Sequence, residues 1–273
     1  MIDALHRTAA LLAITCLAAC NGAGHDRTAE AHEAAEPEWT ALFNGRDLEG
    51  WIPKFAGHPA GENLRDTFRV EDGLLTVSYE NYGDFDGQFG HLFFDGEFSS
   101  YEVRAVYRFI GDQCAGAPGW AFRNNGLMLH GQRPETMALG QNFPVSVEAQ
   151  MLGQREGGGE RRNGGVCTPG TNVVMNGEVV KDHCIGSRGP TNHGDGWVEM
   201  LVDVDGHGDI RHFVDGELVH SYSGAQLDPR DGDAKALLAA GAATALDRGT
   251  ISIQAESHPI QFKSIEIRVR EGR

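Results

Sequence analysis

Apolar residues in this sequence recur at every second position, in one stretch after another. Val145, Val147, Ala149 and Met151 alternate with Ser146, Glu148 and Gln150, and Ile251, Ile253 and Ala255 alternate with Ser252, Gln254 and Glu256. Val103, Ala105 and Tyr107 do the same against Glu102, Arg104 and Arg108. Successive side chains of an extended chain point to opposite faces, so a period of two marks a strand with one greasy face and one wet face. A helix cannot use such a pattern. The 37 glycines, many in pairs such as Asp72-Gly73, Asn176-Gly177 and Asp215-Gly216, punctuate the runs with turns. Strand spacing and turn chemistry together predict an all-β antiparallel sandwich of two sheets. One segment, Gly232 to Gly241 ("GDAKALLAAG"), reads as a short helix, with Asp233 as its cap and Gly241 as its stop.

At 273 residues and 40% hydrophobic composition the chain is long enough to bury a substantial core. A net charge of -16 gives no basic surface for phosphates, which excludes a nucleic-acid partner. No dinucleotide fingerprint, phosphate-cradling loop or Gly-x-Ser-x-Gly elbow occurs, and no internal repeat. Two long irregular stretches, Phe55 to Thr67 and the basic, glycine-rich Gly153 to Gly165, interrupt the strands and are expected to be mobile functional rims.

The first residues read as an address. His6 and Arg7 precede an apolar run too short to remain as a membrane span, and Leu17-Ala18-Ala19-Cys20 resembles a bacterial lipobox. This predicts a signal peptide over 1–19, acylation of Cys20 and a polar tether over 20–37. The folded domain would then occupy 38–270. The expected product is an exported lipoprotein facing the periplasm, and Asn21 after the cysteine points to the outer membrane. With Cys16 removed, Cys114, Cys167 and Cys184 remain. A Cys167–Cys184 bridge across the Asn176-Gly177 turn is favoured; the alternatives are a bridge from Cys114 to either, three thiols, or a Cys/His metal site with His183.

The wet faces of three strands share an unusual composition. His130 lies across from Leu127 and Leu129, Glu148 and Gln150 oppose the Val145 row, and Gln254, Glu256 and His258 oppose the Ile251 row. Amides, imidazoles and carboxylates on adjacent strands suit a groove that orients hydroxyl groups and moves protons.

Seven stretches in order resemble the 3-keto-disaccharide hydrolase family. They are "LFNGRDLEGW", "FRVEDGLLTV", "FRNNGLMLHG", "VSVEAQMLG", "GWVEMLVDVDG", "IRHFVDGELV" and "GTISIQAESHPIQFKSIEI". The "CTPG…HC…ESHP" version is similar to a lipoprotein subgroup common in planctomycete-like bacteria. The resemblance implies a concanavalin A-like jelly roll, and cleavage of a carbohydrate already oxidised at C3 by a separate dehydrogenase. On that basis Glu148 or His130 is expected as base, and Arg123 or His258 as donor to the oxyanion or leaving group. Asn124, Asn125, Gln150, Gln254 and Glu256 would position the sugar, with Trp120 and Tyr82 offering rings to stack on it. No cofactor is demanded, although Glu148, Glu256 and a histidine could hold a divalent metal. Two other readings fit the same fold. A noncatalytic lectin-like module would stack sugars on Tyr82, Phe85 and Trp120. A conventional glycosidase would set Glu148 and Glu256 across an unoxidised bond.

Overall fold

The computed structural model describes residues 37–270. The expected signal peptide, Cys20 and all but the end of the tether lie outside the described residues. In chain order the strands begin with β1 (Thr40–Ala41), β2 (Trp51–Phe55), β3 (Phe68–Glu71), β4 (Leu74–Val77), β5 (Gly90–Phe94) and β6 (Ser100–Phe109). Next come β7 (Asn124–Gly131), β8 (Val147–Leu152), β9 (Val166–Cys167), β10 (Thr171–Met175), β11 (Glu178–Val180) and β12 (Cys184–Ile185). The last are β13 (Val198–Asp205), β14 (Asp209–Val214), β15 (Glu217–Leu227), β16 (Thr250–Ala255) and β17 (Ile260–Val269), with helix α1 (Gly232–Ala239) between β15 and β16.

These strands form the expected antiparallel sandwich. The larger sheet has the order β11-β10-β15-β14-β13-β6-β17-β4-β3, with β1 added to β17; the smaller runs β12-β9-β8-β7-β16-β5-β2. Tyr101, Val103, Ala105, Tyr107 and Phe109 of β6 meet Leu127 and Leu129 of β7, Val147, Ala149 and Met151 of β8, and Ile251 and Ile253 of β16 in one continuous core. Each such side chain contributes about 1.5–3 kcal/mol on leaving water, which is why the alternation fixes which face points inward.

The helix forms where expected but is capped two residues earlier. Asp231, not Asp233, accepts from the Asp233 and Ala234 amides, and Gly241 takes φ +95° just beyond the end. The Asn176-Gly177 hairpin is also present, joining β10 to β11 in register Met175↔Glu178. Its tip, however, belongs to the larger sheet, whereas β9 and β12 at its base pair in the smaller one, with Cys184 opposite Cys167. Those two cysteines form the disulfide, over a Cα–Cα distance of 4.1 Å, and Cys114 is a free thiol.

One register shift alters the candidate site. Thr250 pairs with Gly131 and Ser252 with Met128, so Leu129 and His130 together oppose the single residue Ile251. This bulge gives His130 φ +48°. Its ring turns between the sheets, edge-on to Tyr101, and Nε2–H donates to the Gly206 carbonyl at 2.9 Å. His130 therefore leaves the polar row in which simple alternation places it.

Candidate active site

The outer face of the smaller sheet is covered, not open to water. Glu148, Gln254 and Glu256 are all buried. Glu148 projects from the middle of β8, opposite Met128 of β7 and Cys167 of β9. Its side chain lies flat over β7, because a Cβ at Gly126 would stand 2.5 Å from Glu148 Cγ. Only glycine there leaves the carboxyl its room. Glu256 follows the end of β16, where the chain turns sharply at Ser257 (φ +104°). That turn is held by the Ser257 amide donating to Tyr79 Oη at 2.7 Å, and by the Cys114 amide donating to the Ser257 carbonyl at 2.9 Å. A non-glycine residue keeps such a conformation only when its surroundings impose it, as these two bonds do.

Both carboxyls open into a cleft of about 620 Å³, a volume in the range of small-ligand sites. Burial, and then the neighbouring Glu256 carboxyl, pushes Glu148 well above the ordinary carboxylate range. Burial raises Glu256 to about 8, with the Arg161 cation opposing the shift. Two carboxyls that resist ionising together, one beside a cation and one not, make a pair in which a proton is retained at neutral pH.

Arg161 comes from the glycine-rich segment expected to be mobile, yet it is tied down. Its guanidinium donates to the Phe122 carbonyl through Nη1 and to the Trp120 carbonyl through Nη2 at 2.9 Å, and its backbone amide donates to Thr191 Oγ1 at 2.9 Å. Burial and the nearby Arg155 bring the guanidinium down to about 10, so it remains cationic at neutral pH. Sequence reasoning placed this arginine on the rim without assigning it a role. One of three arginines in an irregular, glycine-rich loop carries no periodic signal. The other long segment, Phe55 to Thr67, contributes no cleft-lining residue.

Of the residues expected at the site, the cleft brings together Glu148, Glu256, Asn124, Gln150 and Trp120. Trp120 is half exposed and stacks on Phe89 with centroids 5.8 Å apart. The other expected residues are placed elsewhere. Arg123 is occupied by Asp195 at 2.8 Å and the Gly194 carbonyl at 2.6 Å. His258 sits under Phe122, with centroids 4.9 Å apart, and burial followed by Arg123 lowers it to about 4, leaving a neutral imidazole. Asn125 faces inward and straps two strands, its Nδ2 donating to the Gln254 carbonyl at 2.7 Å. Tyr82 shares a hydrogen bond of 2.6 Å with Thr67 and lies under Arg65, and Phe85 is wholly buried. Neither offers a sugar platform. Among the described residues no group of three or more His, Cys, Asp or Glu side chains is placed to hold a metal ion.

The floor of the sheet holds many polar atoms without a protein partner. Asn124 Oδ1, Glu256 Oε2 and Gln254 Oε1 are among them, while the Gln254 amide nitrogen lies beside the Glu148 carboxyl. Leaving such a group unpaired costs about 1–3 kcal/mol each, so a row of them marks a surface made to meet polar ligand atoms.

Comparison with known proteins agrees with this fold. No curated protein sequence matches the chain. A candidate glycosyl hydrolase of known structure from Parabacteroides distasonis superposes with a TM-score of 0.50 at 16% identity, covering 85% of this chain and 100% of the other. A second from the same organism gives 0.47 at 19% identity, over 85% and 94%. A Bacillus subtilis protein of unknown function with a galectin-like fold gives 0.49 at 12%, over 86% and 96%. At such identities the likeness to the first is one of fold alone, in keeping with the two-sheet antiparallel jelly roll described above. A family model described as a 3-keto-alpha-glucoside-1,2-lyase-like domain matches residues 38–268, nearly all of the described chain, and the protein belongs to that family.

Proposed function

We propose that the cleft cleaves glycosides carrying a ketone at C3, by elimination and then hydration. The observation that carries this reading is the buried Glu148–Glu256 pair: the raised proton affinity of Glu148 retains an acid, and Glu256, held at about 8, becomes available as a base as pH approaches that value. Membership of the 3-keto-glucoside lyase-like family supports it.

A C3 ketone acidifies the C2 proton. The base removes that proton, the electron pair delocalises onto the C3 oxygen, and the enolate then expels the aglycone oxygen from C1. The acid protonates that oxygen as the C1–O bond breaks. Water adds at C1 of the resulting enone and a proton returns to C2, for net hydrolysis. Arg161 favours the ionised form of Glu256, so Glu256 is assigned as base, and Glu148, whose proton the neighbouring Glu256 carboxyl helps to retain, as acid. This reverses the role that sequence suggested for Glu148. Arg161, fixed by the Trp120 and Phe122 carbonyls, supplies positive charge towards the developing enolate. Trp120 offers a stacking face to the sugar ring. A separate dehydrogenase must supply the ketone, and acylation of Cys20 would hold the domain at a membrane facing the periplasm.

The test is turnover of a 3-keto glucoside and its unoxidised parent in deuterated water. The reading expects turnover of the keto form alone, with deuterium at C2 of the product. Cleavage of both forms would instead indicate a conventional two-carboxylate glycosidase, and binding without cleavage a lectin.

A further inference from the structure

Beyond the open cleft, the same face of the smaller sheet carries a second set of polar groups. His91 of β5 is paired in register with Gln254 of β16, and Ser252 with Phe93 and Met128. His91, Ser252 and Gln254 are each 0% exposed. Both ring nitrogens of His91 and the Ser252 hydroxyl have no hydrogen-bond partner in the protein, and the Gln254 amide has only the adjacent Glu148 carboxyl to turn to. Met128 and Phe93, their neighbours on this face, supply none, and the Glu148 carboxyl reaches only the Gln254 end of the patch.

Over His91 the cover is aromatic. Phe143 stands edge-on to His91 with centroids 5.6 Å apart and packs against Phe89 at 5.2 Å, and the same Phe143 ring forms part of the wall of the open cleft. Phe143 is only partly buried and sits outside the strands. A side chain in that position can turn aside without breaking a ladder. Burial, reinforced by the Lys54 charge, brings His91 down to about 3, so its ring at neutral pH offers one donor and one acceptor. The Lys54 ammonium itself is held by the Phe55 and Leu139 carbonyls at 2.7 and 3.1 Å.

We propose that His91, Ser252 and Gln254 form a covered subsite that binds adjacent hydroxyl groups of a pyranose ring, reached when Phe143 swings away. A pair of vicinal hydroxyls supplies donors and acceptors in the mixture these three side chains lack. The assignment rests on the carbohydrate reading of the neighbouring cleft, but not on its ketone chemistry. His91 and Ser252 are positioning residues for specificity and take no part in bond breaking.

The experiment compares the full chain with His91→Phe, His91→Gln and Ser252→Ala. Binding of glucose and of its singly deoxygenated forms is measured by NMR titration, alongside kcat and KM on a 3-keto glucoside. His91→Phe and Ser252→Ala are expected to weaken glucose binding and raise KM by about tenfold, with kcat changed much less. His91→Gln, which keeps a donor and an acceptor, should recover most of the loss. At least one deoxy sugar should bind wild type weakly and lose nothing further in His91→Phe. Equal losses for every sugar, unchanged binding in both variants, or no glucose binding to wild type would each overturn the subsite. If glucose binding responds as expected while no keto glycoside is turned over, the subsite stands and the proposed reaction falls.

Discussion

Position 256 illustrates how one buried carboxyl links chemistry to stability. Glu256 is raised to about 8 by burial, so the folded chain binds its proton more tightly than the unfolded chain does. Its favourable contribution is complete below about pH 4.5 and is lost as pH rises through about 8. Glu256→Gln should therefore unfold at a higher temperature than wild type near pH 8 and at nearly the same temperature near pH 4, as scanning calorimetry would read. The same variant, and Glu148→Gln, should lower kcat on a 3-keto glucoside by about a hundredfold or more; retention of full activity by either would remove that residue from the mechanism. Both carboxyls were legible in the sequence because they interrupt ordinary solvent-facing composition on strands with clean alternation. Arg161 was not, since a loop residue reaches its place through carbonyls supplied by Trp120 and Phe122, some 40 positions away along the chain.

Among the elements, strands and turns were read from sequence where the signal was local. The two-residue period gave the inward faces of β6, β8 and β16, and Asn-Gly gave the β10–β11 turn, with φ +53° and +80° at its two centre residues. What sequence could not show was partnership. Adding one residue to a strand changes no composition, yet the bulge at Leu129–His130 sends an imidazole to the wrong side of its sheet. Nor does a hairpin announce that its base and tip belong to different sheets. That arrangement makes the Cys167–Cys184 bond a tie at the edge of the cleft, since both cysteines line it. The bond closes a short loop and is expected to contribute about 3 kcal/mol. Reduction, or the Cys167→Ser/Cys184→Ser double variant, should lower the urea midpoint accordingly and weaken activity. An unchanged midpoint would show that the sheet edge holds without it. At α1, Asp231→Ala should cost about 1 kcal/mol and Asp233→Ala much less, because Asp231 is the residue that accepts from the first-turn amides.

For the whole molecule, the count of buried neutral histidines governs behaviour in acid. Burial holds His91 and His212 at about 3 and His258 at about 4, all below the ordinary value of 6.5. Groups lowered in this way contribute stability that is complete above about 6.5 and is lost as pH falls through about 4 to 3. Denaturant midpoints should therefore fall steeply on the acid side, and His212→Gln should flatten the slope. A slope unchanged in that variant would place the acid sensitivity elsewhere. The order of the sheets and the covering of the polar face are properties of this scale, and long-range pairing is what a one-dimensional pattern leaves unwritten. The bare backbone at Gly126 has a wider consequence. Since the Glu148 carboxyl lies across it with no space to spare, a methyl group gained there should displace that side chain from the floor. If the proposed reaction holds, a single added carbon atom at Gly126 should abolish turnover of a 3-keto glucoside while leaving sugar binding measurable, and relatives bearing alanine there should hold sugars without cutting them.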